Sequence, residues 1–443
     1  MGRAGGTAGP LGRFGVCPCE VAVTDPQTGP EAPIDRLPAL RSACSLVTMR
    51  KIPPPETQYM NPLFFKEFNA YFDPNRARLN LACGRPVSLI AGVETGQLVG
   101  SLKTLEAVAE YATGCGARSL MISNYLLHGP GHGDNGKIVF RPAAEVRQAL
   151  TDAGIVAPVI SAHCAGYAHL SAHWGLEYAD KFVPTSVAAK GTQYVEDWSE
   201  EYILGLLETG TALGIHIFGW FWGLWGNPVL HSGYPWVFGW DDMLAKGLER
   251  FRNKTARIRA RANQLGAYFA HELHPGTGAI CARDFGLLLM ATDYDRSLCV
   301  WGDPSHCWAG ESWTQRFSSP FVAPRVVGSH AKNFKYLEGA STLMISEDWS
   351  QRGHQFCGHG EGEVNLESYA KLLLAIGAGD RFCAIQGGDL MPLYSEAEDS
   401  ILPLIAPAPH LLGACSAGIK WVNDHLTGMS LTSAVFTDGM ASA

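Results

Sequence analysis

The sequence predicts a (β/α)8 barrel, on three observations. After about residue 80, short apolar runs alternate with helical segments, and eight such runs occur. The runs end in polar or histidine-bearing residues, and the carboxyl ends of the strands are where a barrel of this kind carries its catalytic residues. The 443 residues, 47% hydrophobic and 17% charged, suffice for one large domain. A doubly wound open sheet is the alternative, but the glycine-rich phosphate loop that it would more naturally show is not found after an early strand.

The predicted strands are, in order, 86–92, 118–125, 157–164, 215–223, 268–275, 297–306, 325–334 and 381–389. The last of them, RFCAIQGGD, closes the series. Helical segments separate the runs; in 102–112, for example, one face carries Leu102, Leu105, Val108, Ala109 and Ala112. This alternation places the barrel within residues 81–405. Residues 1–80, with the run IPPP and little periodicity, are expected to form a partly disordered N-terminal arm, and residues 406–443 a C-terminal tail.

The composition of the chain argues against nucleic acid and membranes as binding partners. Lys and Arg number 34 against 42 Asp and Glu, a net charge of −8, so nothing attracts phosphate backbones or anionic lipid and nucleic acid is not expected. No apolar run reaches the roughly 20 residues needed to cross a bilayer. The 12 cysteines are scattered, which favours a reduced, cytoplasmic location for a protein without membrane contact.

Three consecutive predicted strand ends carry groups that bind hard divalent metals. Glu272 lies in HELHP, Asp303 in DPSH and His330 in SHAK. Each residue alone is more typical of a hydrogen-bonded structural group. Two carboxylates and an imidazole together at the mouth of one barrel favour a site for Mn2+, Mg2+, Co2+ or Zn2+.

These motifs resemble the xylose-isomerase-like TIM barrel superfamily of sugar phosphate isomerases and epimerases. The stretches that carry the resemblance, in the family's order, are FAHELHPGTGA, GDPSHCW, SHAKNF, RGHQFCGHGEGEVN and AIQGGDLM, within residues 86–400. The resemblance implies one divalent metal, with Mn2+ expected first, held by residues from strands five to eight. It implies Glu272, Asp303 and His330 as ligands and His306 as a substrate-binding histidine.

The fourth ligand departs from the family pattern. The usual closing motif is Ser-Ile-Glu followed by acidic residues, whereas the matched stretch here is Ala384-Ile385-Gln386, so Gln386 is expected at the glutamate position. An amide oxygen can still bind a hard cation, but it brings no charge and cannot accept a proton. We therefore expect weaker metal binding, and a two-base epimerisation is in doubt.

Further residues are expected to contact the substrate. Trp220 and Trp222 follow the fourth predicted strand and could stack on a sugar ring, although aromatic residues there equally well cap a core. His163 ends the third predicted strand and is a substrate contact or a core hydrogen-bonding group. Lys332 is a candidate second catalytic group, and Arg352 matches a family arginine that meets substrate oxygens.

The resulting hypothesis is a metal-dependent isomerase or epimerase that acts on a keto-sugar, aldose or cyclitol by removing a proton beside a carbonyl. Glu272 and His306 are its expected catalytic residues. One alternative is a lyase or dehydratase that eliminates from a 3-keto-sugar or inosose. Another is a barrel that binds sugar without catalysis because of Gln386. Relatives are often dimers or tetramers, which makes a homo-oligomer a further expectation.

Overall fold

The computed structural model describes residues 81, 83–96, 98–231, 239–307, 311–336, 354–396 and 408–431. The expected N-terminal arm, residues 1–80, and Arg352 lie outside these ranges. Within them, the helices are too short or too polar to cross a bilayer.

Eight parallel strands close into a barrel, which confirms the predicted fold class. Seven follow one another along the chain: β1 (Val87–Glu94), β2 (Ser119–Ser123), β3 (Val156–Ser161), β4 (Ile217–Trp220), β5 (Tyr268–Glu272), β6 (Leu298–Gly302) and β7 (Val326–Ala331). A separate two-stranded antiparallel sheet, β8 (Asn333–Tyr336) and β9 (His354–Cys357), precedes the last barrel strand, β10 (Leu390–Ser395). Because β10 pairs with both β7 and β1, the sheet is closed, unlike the alternative open sheet.

Helices cover the outside of the barrel. In the described residues they are α1 (Val99–Leu102), α2 (Leu105–Gly114), α3 (Ala143–Asp152), α4 (His163–Ser171), α5 (Thr185–Ala188), α6 (Thr192–Ala212), α7 (Trp240–Lys254), α8 (Ala256–Leu265), α9 (Ala282–Ala291), α10 (Trp313–Ser318), α11 (Leu366–Ala375), α12 (Ala378–Gln386) and α13 (Ala408–His425). Strands covered in this way are buried on both faces: every residue of β2, β6 and β7 is buried.

The predicted helical face over 102–112 is confirmed, except at its start. Helix α2 buries Leu105, Val108, Ala109 and Ala112. It begins only after Thr104, whose side chain accepts a hydrogen bond from the Ala107 amide at 3.2 Å. Since this cap fixes the first turn, Leu102 belongs to the separate short helix α1.

The expected strand over 381–389 is wrong. This stretch contains the end of α12, and its apolar residues pack as a helical face rather than as a strand. Gly387 and Gly388, with φ of 83° and 78°, then turn the chain into β10. Proline argues against a strand interior, so Pro392 concealed the true eighth strand, in which it pairs with Ile90 of β1.

Residues beyond 405 contribute to the barrel. Helix α13 buries Cys415, Ile419 and Val422 in the hydrophobic core. A short strand, β11 (Ser430–Leu431), then pairs antiparallel with the start of β1. The stretch expected to form a tail therefore contains the helix that follows the eighth strand.

Replacing Gly166 with alanine should destabilise the fold by about 1–3 kcal/mol, because over-packing a core has this cost. Gly166 lies in α4, and a Cβ there would meet the buried Trp220 indole at 2.2 Å. The measurement is urea unfolding followed by circular dichroism. The matched control is Gly413→Ala in α13, where a Cβ meets nothing within 4 Å and stability should be unchanged or slightly higher. Equal midpoints for wild type and Gly166→Ala would contradict this packing.

Candidate metal centre and active site

Three predicted metal ligands lie together at the mouth of the barrel, which is the end at which the parallel strands have their carboxyl ends. Glu272 is the last residue of β5, Asp303 directly follows β6 and His330 is the fifth residue of β7. All three are at most 3% exposed. One ligand atom from each lies within 4.8 Å of the other two, close enough to share one cation.

Strand alternation decides which histidine of the HELHP motif stays out of the mouth. His271 precedes Glu272 and points to the opposite face of the sheet, towards the helices. There its Nδ1 accepts a hydrogen bond from the Trp222 amide at 3.0 Å, and its Nε2 donates to the Ala279 carbonyl at 2.9 Å. His271 is therefore a structural residue, and Glu272 faces inward.

A turn after β6 orients Asp303 and His306. Asp303 caps the 3-10 turn Pro304–His306, and its Oδ1 accepts a hydrogen bond from the Ser305 amide at 2.7 Å. This contact leaves Oδ2 for the mouth. His306, three residues later, brings Nε2 to 3.0 Å from Glu272 Oε1 and 3.1 Å from Asp303 Oδ2.

The charges of these groups are strongly coupled. Burial alone would raise the pKa of the Glu272 and Asp303 carboxyls, but the imidazoles of His330 and His306 help to outweigh it and hold both pKa values well below their ordinary range. Burial alone would lower the pKa of His306, yet Asp303 and Glu272 raise it to about 9. Against the same burial, Glu396, Glu94 and Glu272 raise the pKa of His330 well above its ordinary value. The mouth thus concentrates negative charge and attracts cations or protons.

The donor atoms fit a hard divalent cation. Asp303 Oδ2 and His330 Nδ1 are buried and make no hydrogen bond of good geometry, and the same holds for His306 Nε2 and His163 Nε2. Unpartnered buried polar atoms are costly unless something binds them. Two carboxylates and an imidazole are donors suited to Mn2+, Mg2+, Co2+ or Zn2+. Glu272, Asp303 and His330 would therefore hold such an ion.

Gln386 does not reach this centre, and its expected role as the fourth ligand is corrected. It ends helix α12, before the start of β10, whereas the ligands lie at the carboxyl ends of the strands. Six strand residues, roughly 20 Å of extended chain, run from that end to the mouth. The residue after β10 is Glu396, a carboxylate, with Oε1 at 3.3 Å from His330 Nε2. The residue at the carboxyl end of the eighth strand is therefore a glutamate and not Gln386.

A sequence signal for Glu396 was present. The stretch Ser395-Glu396 followed by Glu398 and Asp399 has the form of a serine, a glutamate and further acidic residues, which is closer to the closing motif than the stretch around Gln386. The proline in β10 hid the strand that carries it. Glu396 shares a second cluster of possible ligands with Glu94 and His330.

Trp220 and Trp222 lie in the core and do not line the mouth, which corrects the expected stacking role. Trp220 pairs in register with His271, so both point towards the helices. Both indoles are fully buried, with ring centroids 4.6 Å (Trp220) and 5.2 Å (Trp222) from that of Phe269. The intervening residue, Phe221, faces the mouth instead, 4.5 Å from the His163 ring.

His163 and Lys332, two further residues predicted to contact the substrate or take part in catalysis, lie beside the metal ligands. His163 is buried, with Nε2 at 3.2 Å from Glu272 Oε2. Lys332 binds Glu396 and lies 3.8 Å from Asp303 Oδ2, and its Nζ lies 4.2 Å from the centroid of the Phe356 ring. In the described contacts, the Phe221 ring therefore lies beside His163 and the Phe356 ring lies beside Lys332.

Glu94 and His274 also lie at the mouth and were not predicted. Glu94 ends β1, where the predicted strand had stopped two residues earlier; a glutamate at the end of an apolar run was its signal. His274 packs 4.1 Å from His306, ring centroid to ring centroid. Burial, and next the neighbouring His306, lower the pKa of His274 to about 3, so its imidazole is neutral at pH 7.

A cavity of about 330 Å3 lies between the segment that follows β2 and helices α4 and α6. Its wall includes His128 and His132, whose rings stack with centroids 3.6 Å apart, and Tyr202, which binds His128 Nε2 at 2.8 Å. The glycine-rich loop that carries both histidines is therefore packed through their side chains rather than contributing ligands to the metal centre.

No protein-family model matches the chain, and no curated protein matches it in sequence. Several solved structures are similar in fold. One is the probable 3-DHS dehydratase AsbF from Bacillus anthracis, with 14% identity over 75% of this chain and 98% of that chain and a TM-score of 0.48. A second is an IolI protein with a bound zinc atom, with 10% identity over 77% of this chain and 100% of that chain and a TM-score of 0.47. A third is a xylose isomerase domain protein from Planctomyces limnophilus, with 16% identity over 76% of this chain and 99% of that chain and a TM-score of 0.44.

Replacing Glu396 with glutamine should weaken Mn2+ binding at least about tenfold, because even partners of metal ligands cost this much when lost. The substitution removes a carboxylate from the mouth while keeping the side-chain size. Isothermal titration with Mn2+ measures the effect.

Gln386→Glu serves as the comparison, since it adds a carboxylate at the end of α12. Its Mn2+ affinity should equal that of the wild type. A gain in affinity for Gln386→Glu, or no change for Glu396→Gln, would contradict the placement of these residues.

Proposed function

We propose that this chain is a divalent-metal-dependent sugar isomerase or epimerase, which removes a proton beside a carbonyl of a keto-sugar, aldose or cyclitol. The observation that supports the proposal most directly is the convergence of Glu272, Asp303 and His330 in one buried mouth, with one ligand atom of each within 4.8 Å. Their residue types and strand positions are those that the superfamily resemblance implies. Mn2+ is the first candidate for the ion, as the motifs predict.

In the proposed reaction, the metal ion and the side chains have different roles. When bound, a divalent cation would polarise the substrate carbonyl and offset the negative charge that develops there. Glu272 is ionised at neutral pH, because its pKa lies well below its ordinary value. It is the candidate base that removes the proton, and His163 Nε2 and His306 Nε2 lie 3.2 and 3.0 Å from its two oxygens.

Glu396 supports epimerisation over a one-sided reaction. The resemblance implies glutamates on strands five and eight that remove and return a proton on opposite faces of one carbon. Glu272 follows that pattern on β5, and Glu396 follows it directly after β10. The presence of both carboxylates supports the two-base epimerisation that the sequence reading of Gln386 had put in doubt.

The apolar rings complete the proposed binding site. Phe221 and Phe356 flank the histidines of the mouth, at 4.5 Å from His163 and 5.7 Å from His306 between ring centroids. Sugar rings present apolar C–H faces that pack on such rings, while Lys332 and the imidazoles supply hydrogen-bond donors for hydroxyls. The proposed partner is therefore a small sugar or cyclitol.

In D2O with Mn2+, the wild type should exchange the hydrogen beside the carbonyl of at least one member of a panel of ketohexoses, ketopentoses and inososes. Glu272→Gln should slow this exchange by about 10²-fold or more, the usual contribution of a general base. Proton NMR measures the loss of the C–H signal.

The control is Glu110→Gln, which removes an exposed carboxylate of α2 and should leave the rate unchanged. Exchange that proceeds equally in Glu272→Gln would contradict the role of this residue. A wild type that binds Mn2+ but exchanges no substrate of the panel would favour a sugar-binding barrel without catalysis.

A second candidate function, elimination from a 3-keto-sugar or inosose, is favoured by His306. Its Nε2 lies 3.0 Å from the candidate base, and against the effect of burial Asp303 and Glu272 raise the pKa of this imidazole. An acid and a base side by side suit the loss of water or of an aglycone, in which the base takes the proton and the acid protonates the departing oxygen.

If the chain is a lyase, 3-keto-glycosides should yield an unsaturated product that absorbs in the ultraviolet. His306→Gln should then reduce the elimination rate by about 10²-fold, because the departing oxygen loses its acid. Absorbance and chromatography measure the product. Formation of an epimer without any absorbing product would exclude elimination for that substrate.

A further inference from the structure

Glu94 is a buried carboxylate that the proposed chemistry does not use. It ends β1 and is 9% exposed. The register Val93↔Ser395 between β1 and β10 brings Glu94 beside Glu396 at the point where the barrel closes. An ionised carboxylate at such a depth requires partners, and the identity of those partners indicates its role.

Both oxygens of Glu94 have defined partners. Oε1 accepts a hydrogen bond from the Ser161 hydroxyl, which lies at the end of β3. Oε2 lies 2.5 Å from His330 Nε2, a short contact of the charge-assisted kind. Ser161 therefore fixes the carboxylate with one oxygen turned towards the imidazole.

The other nitrogen of His330 faces the metal centre. Nδ1 lies 3.5 Å from Asp303 Oδ2 and 3.7 Å from Glu272 Oε2, and it makes no hydrogen bond. A neutral imidazole carries its proton on one nitrogen only. If Nε2–H donates to Glu94, the lone pair is on Nδ1, which is where a shared ion would need it.

Glu396 is the competing acceptor, but it is less suited to this role. Its Oε1 lies 3.3 Å from His330 Nε2, which is 0.8 Å farther than Glu94 Oε2. It also forms an ion pair with the Lys332 ammonium. Glu94 is therefore the principal partner of this nitrogen.

We propose that Glu94 is a positioning residue, which holds His330 in the tautomer and orientation that present the Nδ1 lone pair to the metal. The inference rests on the proposed metal-dependent function. Carboxylates that accept the free N–H of a ligating histidine raise its basicity and fix its ring, and their loss typically lowers metal affinity 10- to 100-fold. Through Glu94 and Ser161, strands β1 and β3 also take part in holding the ion.

The test is Mn2+ titration of wild type, Glu94→Gln, Ser161→Ala and the control Glu110→Gln. Glu94→Gln keeps the side-chain size and removes the charge, so its Kd should rise about 10- to 100-fold, with one ion still bound. Ser161→Ala should weaken binding in the same direction by a smaller factor. Glu110→Gln, on the surface of α2, should match the wild type.

Co2+ provides a second measurement, because its d–d absorption reports the ligands themselves. The band of Co2+-loaded Glu94→Gln should shift relative to wild type, while that of Glu110→Gln should not. A merely structural effect of Glu94 would lower the unfolding midpoint without moving this band. If Glu94→Gln fails to fold, Ser161→Ala still reports on the orientation of the carboxylate.

The outcomes separate this inference from the function on which it rests. A wild type that binds no Mn2+ overturns both. A wild type that binds Mn2+ and exchanges substrate hydrogen, alongside a Glu94→Gln variant within about twofold in Kd and unchanged in its Co2+ band, overturns the role of Glu94 alone. A weakened variant with a shifted band supports that role.

Discussion

The charge balance in the barrel mouth is the constraint on which the site depends. Four carboxylates converge in a space that water scarcely reaches, and they are tolerated only because three cationic side chains interleave with them. The carboxylates are Glu94, Glu272, Asp303 and Glu396, and the cationic groups are His306, His330 and Lys332. With a cation bound, His330 would be a neutral ligand, so the four carboxylates would face only the cationic His306 and Lys332, and the divalent cation would compensate the remaining negative charge. Losing one member would leave its neighbours buried without compensation, so the cluster behaves as a unit.

Parallel closure of the barrel makes this cluster possible. Every strand delivers its carboxyl end to the same face, so residues far apart in the chain, such as Glu94 and His330, become neighbours. Side chains packed between the strands and the surrounding helices restrict the orientation of the side chains that face the mouth. Trp220 fills the space over Gly166, and His271 bonds backbone groups of the loops, so the inward residues next to them have little freedom to turn away.

The predicted ligands on β5, β6 and β7 lie where the motifs indicated, because each motif is local: a short apolar strand followed at once by its functional residue. The errors occurred where the local pattern was ambiguous. The sequence RFCAIQ has the apolar content of a strand but packs as the last turns of α12, and Pro392 disguised the strand that follows. For the fourth strand, the direction of the side chains was mistaken by one residue, so Trp220 and Trp222 were expected where Phe221 lies. A shift of one residue along a strand reverses the face.

The sequence by itself determined the barrel class, the strand tips with Glu272, Asp303 and His330, and the superfamily resemblance, because periodicity and motif spacing are properties of neighbouring residues. Only the tertiary structure decided that Glu396 and not Gln386 reaches the mouth, that the two tryptophans belong to the core, and that Glu94 binds His330. Each of these depends on strand register or on contacts between segments far apart in the chain, and the energy of such contacts is set by closure of the sheet rather than by any local pattern.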